Sequence, residues 1–186
     1  AARQRDRAAA ANEQSPATVA FLQQMLASVD PGERGPAVTV REVLDEAAVR
    51  VETELAGQPL VQASLRTTIG RTYLSLGLLD ASETQLRRAL EQRREIRGPR
   101  TRDVAYSLSD LGDLLYARQS LDEAQAAIEQ ALDIFREVSG ASSTDTANGL
   151  TRLGGVQWAK GELEAAEQAP RQALAIRREA PAATRA

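Results

Sequence analysis

Residues 101–140 read TRDVAYSLSDLGDLLYARQSLDEAQAAIEQALDIFREVSG, and apolar side chains recur in them every three or four positions. Leu108, Leu111 and Leu115 mark the first half; Leu121, Ala124, Ile128, Ala131 and Leu132 mark the second. That spacing gathers each set onto one stripe of a helix. The break ARQSLDE separates the halves, and Asp122 stands where an acid favours the positive start of the helix that follows. The stretch therefore reads as two amphipathic helices folded back on each other. Gly140 closes the second, since glycine takes left-handed backbone at a helix end without steric cost.

The same pattern stands on both sides at a period of 42 residues. Gly70, Gly112 and Gly154 keep that interval, and so do Gly98 and Gly140. In this register Ile69, Leu111 and Leu153 align, as do Leu79, Leu121 and Leu163, then Ala89, Ala131 and Ala173, then Leu90, Leu132 and Leu174. Breaks equivalent to ARQSLDE recur as LGLLDAS and AKGELEA, with Asp80 and Glu162 at the helix starts. Self-similarity at this period is the signature of a repeat array, in which each hairpin buries its apolar face on its neighbours. One copy departs: Pro170 falls where the others carry Leu86 and Ile128. A proline there removes a backbone hydrogen bond, so the sequence predicts a kink or a late start in the last helix.

Upstream, Ser15-Pro16 reads as a cap followed by proline at the first helical position. Val19, Leu22, Met25, Leu26 and Val29 form one face of a short helix that VDPGERGP ends. Thr39 and Glu42 have capping-box spacing, and Val40, Val43, Leu44, Ala47, Val51 and Leu55 line a second helix before Gly57. The expected organisation is a helical cap and linker over 1–57, three repeats over 58–179 (60–98, 102–140 and 144–179) and a disordered tail over 180–186.

Composition narrows the function. Among 186 residues there is no cysteine and no histidine, which removes thiolate metal sites, cysteine nucleophiles and the commonest general base. Acids and bases are interspersed with a net charge of −3, without the basic excess of a nucleic-acid binder. No apolar run approaches the ~20 residues that span a bilayer, so no direct membrane insertion is expected. The chain opens at Ala1 without a targeting segment, which suggests a piece of a longer protein.

The repeats resemble tetratricopeptide repeats of the 42-residue kind found in kinesin light chains and many bacterial signalling proteins. The resemblance rests on Leu108, Leu111-Gly112, Tyr116, Ala124 and Ala131, and again on Gly70, Tyr73, Ser82 and Ala89. It implies an all-α, tetratricopeptide-like α-solenoid of three helical hairpins preceded by two non-repeat helices. Residues 19–98, from VAFLQQML to REIRG, are also similar to the region that follows the catalytic domain in bacterial serine/threonine protein kinases. That likeness implies a regulatory or partner-recruiting arm of such a kinase. The chain itself lacks a phosphate-cradling glycine loop and the histidine of a kinase catalytic loop. Asp110-Leu111-Gly112 mimics a kinase metal-binding triplet but sits on the repeat's own glycine.

The first helices of such hairpins line a groove, so the resemblance assigns groove positions through the glycine register. They are Ser64, Thr67, Arg71, Leu74 and Ser75; Tyr106, Ser109, Asp113, Tyr116 and Ala117; and Asn148, Thr151, Gly155, Trp158 and Ala159. Leu74, Tyr116 and Trp158 are equivalent and form either an apolar anchor for a peptide or packing against neighbouring helices. Asn148 is placed to hold a ligand's backbone or to be simply solvated. The arginines Arg87, Arg88, Arg93, Arg94, Arg97, Arg100 and Arg102 read either as a phosphate site or as helix-end charges paired with Glu91 and Glu95. Asp122-Glu123 and Glu162, Glu164 and Glu167 recur at helix starts, where the dipole accounts for them. No catalytic residue, metal ligand or cofactor is assigned. The expected partner is a protein or peptide segment, and the alternative is self-association through the last repeat.

Overall fold

The structure, a computed structural model, describes residues 39–179. Its regular elements are all helices: α1 (Val40–Glu54), α2 (Pro59–Ser75), α3 (Leu79–Arg97), α4 (Arg102–Ala117), α5 (Leu121–Val138), α6 (Thr144–Lys160) and α7 (Leu163–Glu179). Helices α2 and α3, α4 and α5, and α6 and α7 pair as three successive hairpins, and α1 packs on α2. The expected helix around Val19–Val29 and the tail at 180–186 lie outside the described residues.

Local chemistry sets the ends of these helices. Thr39 and Glu42 form the reciprocal capping box, each side chain bonding the other's backbone N–H. Thr101 and Ser143 cap α4 and α6 by accepting from the N–H groups of Val104 and Thr146. Pro59 opens α2, where its missing N–H leaves no bond unmade. Helix α1 stops at Leu55, two residues before the glycine expected to end it. Inside the hairpins, Gly77, Gln119 and Gly161 occupy equivalent turn positions and all have positive φ, at 73°, 63° and 80°. Gln119 tolerates that conformation because the turn satisfies itself: Ser120 N–H bonds Leu115 C=O at 2.9 Å, as Leu78 bonds Tyr73 and Glu162 bonds Gln157.

Each hairpin crosses at the glycine that recurs every 42 residues. A Cβ on Gly70 would lie 2.8 Å from Leu86, one on Gly112 2.6 Å from Ile128, and one on Gly154 2.6 Å from the Pro170 ring. The three glycines thus hold matching places in successive hairpins, because only a bare Cα lets the helices approach so closely. Pro170 does not delay α7, which begins at Leu163, the equivalent of Leu79 and Leu121, and runs unbroken to Glu179. The expected late start is therefore corrected. Proline sacrifices one N–H donor, while its ring fills the position over Gly154 that Leu86 and Ile128 fill elsewhere.

The core runs along the array. Leu86, Leu90, Leu108, Leu114, Ile128, Leu132, Phe135 and Leu150 belong to one buried cluster that crosses all three hairpins. A second cluster joins Leu44, Ala47 and Val51 of α1 to Val61, Leu65, Ile69 and Tyr73. Helix α1 therefore covers the first hairpin as a repeat would, and Tyr73 Oη donates to Asp45 at 2.6 Å to fix it there.

Candidate protein-binding face

Helix α2 touches α4, and α4 touches α6, so the first helices of the hairpins form a continuous face. Charge stitches it together. Arg71 donates to Asp110 Oδ1 from Nε at 2.9 Å and from Nη2 at 2.6 Å, and Arg152 Nε reaches both oxygens of Asp113 at 3.1 Å. Both pairs lie 39 residues apart in sequence, in a repeat of 42. That offset was a legible signal, because a helix in one hairpin meets its successor slightly out of register.

The sequence-assigned positions meet different surroundings. Arg71 and Asp113 are occupied by those ion pairs. Ser109 is buried with its hydroxyl on Ala105 C=O at 3.0 Å, and buried Thr67 bonds Ala63 C=O and accepts from Arg93 at 2.9 Å. Tyr106 is half-buried, edge-on to Phe135 with ring centroids 5.1 Å apart. Asn148 Oδ1 and Thr151 Oγ1 accept from Arg177 at 3.0 and 3.3 Å. Leu74 is half-buried against the core, whereas Tyr116 is 40% exposed and Trp158 68% exposed. Of the equivalent trio, the two aromatics face solvent.

Between α2 and α4 lies a depression of about 360 Å³ lined by Thr68, Arg71, Arg93, Asp103, Tyr106 and Asp110. Arg93 crosses its floor, donating to Ser107 at 2.5 Å as well as to Thr67, and burial lowers its guanidinium pKa. Burial likewise pushes the Asp110 carboxyl up, against the pull of Arg71, and its Oδ2 has no partner. A larger hollow of about 780 Å³ lies at the connections between hairpins, where Arg97, Arg100 and Arg102 gather. Two of these are neutralised, Arg100 by Glu137 at 2.5 Å and Arg102 by Asp145 at 2.6 Å. Arg87 pairs with Glu83 and Arg88 with Glu52, so most of the arginine run serves internal ion pairs.

Sequence reading missed the network around Asp145. This buried carboxylate accepts from Arg102 at 2.6 and 2.9 Å, from Tyr106 Oη at 2.5 Å and from Ser139 Oγ at 2.7 Å. The Arg102 hydrogen bonds, working against desolvation, bring its pKa down to about 2. A carboxylate with a folded pKa below its unfolded value stabilises fully above about pH 4, and that contribution fades as pH falls through about 2. Asp145→Asn is expected to cost about 1–2 kcal/mol at pH 7, a figure reduced because Arg102 is itself exposed. Urea titrations at pH 7 and pH 2.5 check this: the gap between the two proteins should narrow on acidification.

The fold and face define a class: an α-solenoid of paired helices that presents a ridged surface built from the first helix of each pair. The chain belongs to the tetratricopeptide repeat family, whose model matches residues 61–137 and 103–179. It is similar to BtubC (BKLC) from P. vanneervenii, with 25% identity and a TM-score of 0.65 over 74% of this chain and 58% of that one. The chain thus spans less than two thirds of BtubC. Nearly identical TPR-like repeats assigned to a kinesin light chain of Podosopora anserina share the fold at 14% identity. Their TM-score is 0.62, over 95% of this chain and 92% of theirs. No curated protein sequence matches at a significant level. Tetratricopeptide repeats bind proteins, and the chain is such an interaction scaffold. Among the described residues no helix is long and apolar enough to cross a membrane, and no cluster of acids is arranged to hold a metal ion.

Proposed function

We propose that the face of α2, α4 and α6 recruits an extended or helical segment of a partner protein, and that the chain is the partner-recruiting arm of a bacterial serine/threonine kinase. The observation that carries the binding reading is the pair of equivalent aromatics, Tyr116 and Trp158, left exposed on adjacent first helices while their neighbours are committed to ion pairs. Exposed aromatics on a rigid scaffold are favoured anchors, offering large apolar area at low entropic cost. The ion pairs hold the helices in place; the aromatics remain available. Support for the kinase arm is the likeness of residues 19–98 to the segment after such catalytic domains.

Trp158 is the single tryptophan of the chain, which makes its emission a direct reporter. Peptides selected from a displayed library against the intact chain are expected to shift that emission to the blue. Tyr116→Ala with Trp158→Ala is expected to weaken labelled-peptide binding about 10–100-fold with helicity retained. Unchanged affinity would remove the assignment of this face. The coding sequence upstream of Ala1 tests the kinase arm: a catalytic domain is expected there.

A further inference from the structure

Asp110 and Arg93 both line the depression between α2 and α4, and the protein satisfies neither of them fully. The Asp110 side chain is 4% exposed, and both bonds from Arg71 fall on its Oδ1, which leaves Oδ2 buried and without a donor. A carboxylate oxygen so placed loses water without gaining a partner, and burial raises the carboxyl pKa in spite of Arg71. Arg93 has the complementary shortfall. Its bonds run from Nη1 to Thr67 and Ser107, both neutral, while Nε and Nη2 donate to no protein group among the described residues. Asp103 and Asp110 attract it through space without forming an ion pair.

The hydroxyls of the lining are already committed. Ser64, Thr67 and Thr68 each donate to the carbonyl four residues earlier, at 3.0, 2.9 and 3.2 Å, and Tyr106 donates to Asp145. What stays unmet is one oxygen that asks for a donor and one guanidinium edge that asks for an acceptor. These opposite demands share a hollow of about 360 Å³ and exclude simple ions. A carboxylate or phosphate would meet Arg93 but face Asp110, and an ammonium group would meet Asp110 but face Arg93. A primary carboxamide carries an N–H₂ and a C=O on one planar carbon and answers both. Because the Asp110 side chain is almost fully covered, a side chain on a stem reaches it where main chain lying across the helices does not. Arg71 is the movable cover: its side chain is 55% exposed, and its hydrogen bonds go to Asp110 alone.

We propose that this depression is a subsite for an asparagine or glutamine side chain of the partner segment, its amide N–H donating to Asp110 Oδ2 and its amide oxygen accepting from Arg93. The inference rests on the reading of α2, α4 and α6 as the binding face, and it adds a polar anchor to the two aromatic ones. Charge stays balanced on binding, so the subsite selects by the pairing of donor and acceptor: a partner group that lacks either one leaves a buried group unpaired.

The test uses peptides selected from a displayed library against the intact chain. A recurrent asparagine or glutamine at one position is expected, and replacing a glutamine there by glutamate, lysine or methionine should weaken binding about 10–100-fold. In Asp110→Asn, Arg71 keeps the amide oxygen in the place of Oδ1 and turns the amide N–H₂ into the depression, which then offers donors from both sides. The order is expected to invert in that variant, with the glutamate peptide bound more tightly than the glutamine one. Selection without a recurrent carboxamide, or equal binding of the four peptides, overturns the proposal. So does an unchanged order in Asp110→Asn with parental circular dichroism; the peptide series needs only the parent chain and decides the matter where that variant fails to fold. The reading beneath it fails differently. Peptides that keep their affinity for Tyr116→Ala with Trp158→Ala remove the binding face, whereas peptides that lose it there but ignore the carboxamide remove only the subsite. A library that yields no binder removes both.

Discussion

Phe135→Ala is expected to lower the unfolding free energy by about 3–5 kcal/mol, the range for truncating a fully buried aromatic. Phe135 is 1% exposed, meets Tyr106 edge-on at an interplanar angle of 69°, and lies against Gly149 of the following hairpin. It therefore belongs to two hairpins at once. Removing it leaves a void that the α5–α6 joint fills only by shifting helices, and Tyr106 loses the ring that orients it toward Asp145. In a repeat array stability is a sum of hairpin and joint terms, so a broken joint also uncouples the units it connected. The third hairpin should then melt ahead of the rest. Guanidinium titrations followed by circular dichroism and by Trp158 emission are expected to coincide in the parent and to separate in the variant. Coincident curves displaced by less than about 1 kcal/mol would show that the joint does not depend on this ring.

Gly112→Val is expected to cost about 3 kcal/mol, whereas Gly155→Ala should stabilise by about 0.5–1 kcal/mol. A Cβ on Gly112 would sit 2.6 Å from Ile128 Cγ1 and 3.5 Å from Ala124 C=O, and valine adds two further methyls at the crossing of α4 and α5. Ile128 is branched and fully buried, so it has nowhere to rotate. The hairpin must open. At Gly155 nothing lies within 4 Å of an added Cβ, so alanine only relieves the entropic cost of glycine in a helix. Gly154 beside it would place a Cβ 2.6 Å from the Pro170 ring, so neighbouring glycines should respond with opposite sign. Thermal melts of Gly112→Val, Gly154→Ala and Gly155→Ala read all three; a loss of stability in Gly155→Ala would contradict the open surface assigned to α6.

How far the candidate site could be read ahead depended on which side chains answer to local geometry. Register alone assigned Tyr116 and Trp158 to the proposed binding face, and both side chains are exposed to solvent. Arg71, Asp113, Asn148 and Thr151 were placed on the same face, but each is held by a partner 26 to 39 residues away. Ser109 and Thr67 turn their hydroxyls inward onto the backbone four residues earlier. Register says on which helix and at which level a residue sits; whether its polar end faces water depends on what the adjacent hairpin brings against it.

The period of 42, the small residues at helix crossings and the capping chemistry were enough to specify seven described helices and their pairing. Each of these is a short-range demand: a stripe of apolar residues, a backbone that must approach closely, an N–H that needs an acceptor. Packing between hairpins decided the rest. It made Asp145 the hub of four hydrogen bonds, kept α7 continuous through Pro170, and buried Leu90 and Leu132 while leaving Leu174 open. Identical positions in a repeat have identical local preferences, and only the neighbour that each one meets sets them apart.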